Sequence, residues 1–169
     1  MMNTNKTGQE LPLSAANQIE FSQGGGTGGG TADVEVVRHW TRLLENAERL
    51  HTSGEYEVAI VVAQTACEVI TERAISKAFG NKGVAELESP VTGFLISYNL
   101  GNERVRKLYD ALAGDTVAGE GFWEAFKALA KTRNESVHSG RKVSETESRD
   151  GLDAASQLVA HIEQKNGLT

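Results

Sequence analysis

Arg133, Asn134 and His138 are the residues of this sequence whose types and spacing suit chemistry on a charged ester. An imidazole moves protons near neutral pH, a guanidinium holds a phosphate through two parallel hydrogen bonds, and a neighbouring carboxamide orients either group. Those are the parts needed to cleave a phosphodiester without a metal. Asn134 and His138 stand four apart and share a helix face, with Arg133 offset by about 100°. From Lys127 to Lys142 there are five cations (Lys127, Lys131, Arg133, Arg141, Lys142) against one carboxylate, Glu135, a net +4. Lys131, Arg141 and Lys142 are therefore the candidate RNA contacts, because phosphates need neutralising. A purely structural account fits the same residue types. In it Arg133 is a surface cation, Asn134 and Ser136 are helix-end hydrogen-bonders, and His138 interacts with the helix dipole.

The remaining chemistry-bearing residues point elsewhere. Glu68 and Glu72 are one turn apart, as a carboxylate pair would be, but both fall off the apolar stripe and read as a solvated face. His39 and His51 flank a helix without i,i+4 partners for a zinc site, and His161 stands alone near the C-terminus, so no metal ligand set is assigned. Cys67, the one cysteine, lies beside Ala63, Ala66 and Ile70 and reads as a small core residue. Trp40 and Trp123 fit core or interface packing better than base stacking. Gly24, Gly26 and Gly29 satisfy G-x-G-x-x-G, but no strand precedes them and no βαβ unit follows, so a linker is the better account.

The elements that must position the motif are all helical. Residues 1–32 are rich in Asn, Gln, Thr, Ser and Gly and read as a disordered arm, which cannot bury enough apolar surface to offset its ordering entropy. From Asp33, the apolar residues Val34, Val37, Trp40, Leu44, Ala47 and Leu50 recur every three or four positions, which predicts a helix over about 33–52. Ser53-Gly54 breaks it, and Tyr56, Ala59, Ala63, Ala66, Ile70 and Ala74 mark a second helix reaching about Phe79 before Gly80. Residues 83–100 contain Pro90 and Gly93 and predict short helical pieces. Asn102 caps a helix ending near Gly114. Phe122, Ala125, Phe126 and Leu129 carry another to about Val137, stopping near Ser139-Gly140. Ser144 and Glu147 form a capping box for a last helix through Leu152, Ala155, Leu158 and Ile162. The expected architecture is thus a compact all-α bundle of about five helices over 33–169 behind the arm. No alternating β-branched run suggests a strand.

Composition bounds the function classes. One domain is the default at 169 residues. A net charge of −6 and a pI near 5.3 argue against binding nucleic acid over the whole surface, while leaving room for a local site. The lone cysteine, the absence of a basic-then-apolar leader and the absence of a long apolar run predict a cytoplasmic chain with no membrane partner.

The string A-L-A-K-T-R-N-E-S-V-H-S-G-R-K-V-S, followed by an acidic-capped helix, resembles the HEPN superfamily of helical-bundle domains, whose hallmark is R-x(4 to 6)-H, often with Asn after the Arg. Arg133, Asn134 and His138 match position by position, and Ser139 departs from the Gly that many relatives place directly after the His. The segment S-G-E-Y-E-V-A-I-V-V-A-Q-T-A-C-E is similar to the family's second helix, where an acidic residue follows small ones, here Glu68 in a supporting role. The resemblance covers about 33–165. It implies a metal-independent endoribonuclease of a toxin–antitoxin, antiphage-defence or stress-response system, with no cofactor, acting on RNA as a homodimer in which two motifs meet. A cognate antitoxin or effector protein is the partner such systems imply. The alternative within the family is a non-catalytic module that binds RNA, nucleotide or a partner protein.

Overall fold

A computed structural model describes residues 38–168; the arm expected over 1–32 and the helical onset expected at Asp33 lie outside them. Among the described residues the regular structure is entirely helical: α1 His39–Thr52, α2 Tyr56–Asn81, α3 Glu88–Thr92, α4 Glu103–Ala113, α5 Trp123–Ser139 and α6 Glu145–Asn166, with 3-10 turns at Ala85–Leu87 and Val117–Gly119. The first of these begins at His39 behind an extended Arg38 (ψ 141°).

The second helix is the hub, packing against α1, α6, α4 and α5. Its stripe of Ala59, Ala63, Ala66, Ile70 and Ala74 is buried as the spacing predicts, but so are Ile60, Cys67, Ile75 and the polar Gln64 and Thr71 on its other sides. A helix covered on several faces needs small residues so that its neighbours can approach, which is why alanine dominates here. Burial holds Cys67 as an inert thiol, its pKa pushed well up chiefly by desolvation. Thr71 satisfies its hydroxyl by donating to the Cys67 carbonyl at 2.7 Å.

Helix α2 runs through Gly80 and stops at Asn81, two residues beyond the expected end. The stop is set by Gly83, whose φ of +69° reverses the chain. Gly83 N–H then bonds Gly80 O at 3.0 Å and Val84 N–H bonds Phe79 O at 3.1 Å, closing the paired bonds of a Schellman cap. Residues 83–100 form one 3-10 turn and the five-residue α3, the short pieces expected of a segment broken by Pro90 and Gly93. Downstream, Asn102 accepts from Arg104 N–H at 2.9 Å and starts α4. The capping box of α6 is complete: Ser144 Oγ accepts from Glu147 N–H at 3.3 Å, and Glu147 Oε2 accepts from Ser144 N–H at 2.9 Å.

The two tryptophans are structural. Trp40 is buried and donates its indole N–H to Glu163 at 2.7 Å. Trp123 is buried against Phe126, ring centroids 5.4 Å apart, with the Arg106 guanidinium 5.4 Å from its ring centre.

Candidate functional site

Helix α5 carries the motif because its apolar positions Trp123, Phe126, Leu129 and Ala130 are buried, which turns the 133–134 side toward the 96–102 loop. Arg133 and Asn134 line a groove of about 600 Å³ together with Glu68 from α2, Lys127, Ala130 and Lys131 from α5, and Ile96, Ser97, Asn99, Gly101 and Asn102 from the loop. Arg133 donates through Nη1 to Asn134 Oδ1 at 3.1 Å. Its Nε is shielded from solvent yet meets no acceptor among the described residues, an arrangement that costs energy unless a ligand fills it.

His138 does not line this groove. The helix continues through Ser139, so His138 sits one turn and about 6 Å of rise beyond Asn134 on the same side. Its ring is exposed and makes no hydrogen bond among the described residues. Gly140, at φ +65°, supplies the left-handed reversal, with Ser139 as the last helical residue.

The positive window is answered by its own Glu135 and by carboxylates just outside it or far off in sequence. Lys127 pairs with Glu124 at 2.8 Å, Lys131 with Glu135 at 3.8 Å, and Lys142 with Glu57 at 3.6 Å. Arg141 pairs with both Glu135, at 3.4 Å, and Glu147. The bond from Ser144 N–H, the Arg141 guanidinium and the Ser144 hydroxyl together hold the Glu147 carboxyl down at a pKa of about 2. Arg133 is the one cation of the five without a carboxylate partner among the described residues. The three proposed RNA contacts, Lys131, Arg141 and Lys142, each face a carboxylate of the protein; Glu135 is in the segment's own charge count, whereas Glu57 and Glu147 lie outside it.

In comparisons with known proteins, no family model, no curated relative and no solved structure matches the chain. The site stands on its own geometry.

Two constellations escaped the sequence. His51 on α1 is buried and its Nδ1 lies 2.9 Å from the buried Ser148 Oγ on α6. His161 is far from alone: its Nε2 is 2.7 Å from Asp115 Oδ2, which also accepts from Tyr109 OH at 3.0 Å, while Asn166 Nδ2 donates to that hydroxyl at 3.1 Å. Burial pushes the Asp115 carboxyl up, but bonds from His161, Thr116 N–H and Tyr109 outweigh it and leave the pKa lowered. Glu120 Oε1 lies 3.9 Å from His161 Nδ1, and a ligand atom from each of Asp115, Glu120 and His161 falls within 4.8 Å of the others. Asp115 accepts from Tyr109 OH and Thr116 N–H and contacts His161, so the cluster ties the 114–122 loop to α6. A sequence signal existed for the groove: N-L-G-N at 99–102 places two Asn around a Gly, the composition of an Asx turn.

Proposed function

We propose that this domain is a metal-independent endoribonuclease, with Arg133 as the phosphate-holding cation, Asn134 as its positioning partner and His138 as the proton carrier. The observation that carries the reading is Arg133. It is the cation of its segment left without a carboxylate, and its shielded Nε has no protein acceptor. A guanidinium in that state meets the non-bridging oxygens of a phosphodiester with charge-assisted bonds. In the step envisaged, the ribose 2′-hydroxyl gives its proton to His138 and attacks phosphorus. The bond from phosphorus to the 5′ oxygen breaks, the departing oxygen takes up a proton, and a 2′,3′-cyclic phosphate remains. The resemblance to HEPN domains supports the same assignment.

The test is incubation of the purified full chain with RNA in EDTA, followed by end-group analysis. Cleavage leaving 2′,3′-cyclic phosphates is expected, falling by about 10²-fold or more in His138→Ala. A parent protein that cuts no RNA, or a His138→Ala variant that cuts equally fast, would leave the second reading, a non-catalytic module binding RNA, nucleotide or a partner protein. One observation favours that second reading: His138 lies outside the groove, exposed and without a hydrogen bond among the described residues to orient its ring.

A further inference from the structure

The hydrogen-bonding groups that line the groove are not a random mixture. Three carboxamides have their oxygens committed inside the protein: Asn99 Oδ1 accepts from Gly101 N–H at 2.8 Å, Asn102 Oδ1 from Arg104 N–H at 2.9 Å, and Asn134 Oδ1 from Arg133 Nη1 at 3.1 Å. Turning any of them over would set an NH2 group against an N–H donor, so each oxygen is fixed at its internal contact and each NH2 is left without a partner among the described residues. Ser97 Oγ likewise accepts from Asn99 N–H at 3.4 Å, which leaves its hydroxyl proton to donate. With Arg133, whose Nε is unmet, these make five lining side chains that still hold free donors, while each amide and hydroxyl oxygen has one of its two lone pairs occupied. Glu68 is the one carboxylate among the lining residues, engaged only by a 3.5 Å approach from Gln64 Nε2.

A ligand that satisfies this lining must be rich in acceptors and must also bring donors to Glu68. Inorganic phosphate meets the first condition and fails the second, because the carboxylate repels it. Among nucleobases, adenine, cytosine and uracil each offer a single donor group on the pairing edge. Guanine offers two adjacent ones, the ring N1–H and the exocyclic amine, spaced to meet the two oxygens of one carboxylate, while its O6 and N7 are acceptors. Ile96, fully exposed at the groove, supplies an apolar face beside the ring. A volume near 600 Å³ falls within the range of small-ligand sites.

We infer that the groove is a guanine nucleotide subsite, with Glu68 reading the donor edge of the base, the Asn99, Asn102, Asn134 and Ser97 donors meeting its acceptors, and Arg133 holding the attached phosphate. The inference rests on the reading above only in taking a nucleotide as the ligand class. Free nucleotide and a guanosine within RNA share this chemistry.

Titration calorimetry on the full chain with GMP, AMP, CMP, UMP and inorganic phosphate, and with the oligoribonucleotides UUGUUU and UUAUUU, tests it. GMP or UUGUUU should bind at least about tenfold more tightly than its adenine counterpart. A preference confined to the oligomer assigns the site to RNA, and one present with GMP assigns it to free nucleotide as well; both support the subsite. Glu68→Gln should erase the preference while leaving a residual phosphate-dependent affinity. Ile96→Glu, at a fully exposed position that folding does not need, should weaken every nucleotide without changing their order. Equal affinity for guanine and adenine ligands, no binding by any of them, or an unaltered preference in Glu68→Gln would overturn the subsite. Guanine-selective binding by a protein that cuts no RNA would sink the nuclease and leave the subsite standing, whereas RNA cleavage indifferent to guanine and to Glu68→Gln would do the reverse.

Discussion

Arg133 and Lys142 both read as phosphate contacts in the sequence, and their surroundings separate them. Arg133 has an unmet shielded donor, whereas Lys142 is a 92% exposed ammonium facing Glu57. Arg133→Ala is expected to cut the rate at saturating RNA by about 10²-fold, the scale of one lost charge-stabilising donor, and Lys142→Ala to change it less than about twofold. Equal losses in single-turnover assays would put the two on the same footing and remove the case for Arg133. At Asp115, 4% exposed in its side chain, Asp115→Asn replaces an acceptor of three bonds with a group that is half donor. Urea unfolding should show a loss of about 2–3 kcal/mol with an unchanged slope. A loss under about 0.5 kcal/mol would mean the His161 tie contributes nothing to stability. His161 shows where reading by spacing stops. Its partner Asp115 is 46 positions away, and nothing local announces it.

At the scale of elements, the capping box of α6 links folding to pH. The Glu147 pKa falls from its ordinary 4.5 to about 2. A carboxyl depressed in the folded state stabilises fully above the unfolded value and loses that contribution as pH drops through the folded one, so the window is about pH 4.5 to 2. The parent's thermal midpoint should fall across that window, and Glu147→Gln should flatten the fall while starting from a lower midpoint at pH 7. Identical slopes for the two proteins would show that the capping carboxylate is not coupled to folding. The helices were legible because amphipathic periodicity and caps are local: Asn102, Gly114, Gly140 and the Ser144/Glu147 pair mark ends that the structure keeps. Helix α2 overran its expected end because a glycine inside a helix costs only about 1 kcal/mol, which packing overrides, while Gly83 supplies the true stop. The groove was half legible. Arg133, Asn134 and Glu68 were singled out and Asn102 was legible only as a helix cap, but Ser97 and Asn99 come from a segment without periodicity, and only the fold brings it to α5.

For the whole molecule, the resemblance to HEPN domains implies two motifs meeting in a homodimer, since each chain carries one Arg133 and one His138. Sedimentation at micromolar concentration should show a two-fold dimer, the commonest closed assembly. A strictly monomeric protein that still cleaves RNA would show that one copy of the motif suffices.

The pairing of Lys127, Lys131, Arg141 and Lys142 with carboxylates also sets how binding responds to ionic strength. A cation that keeps its carboxylate partner neutralises no phosphate when RNA arrives, so it adds nothing to the salt dependence. For single strands the slope of log K against log salt is about −0.7 per neutralised phosphate, so five free cations would give about −3.5 and Arg133 alone about −0.7. Binding of RNA to His138→Ala, titrated across potassium chloride concentrations, should follow the shallow line. A slope steeper than about −3 would mean that the glutamate pairs open to admit the strand.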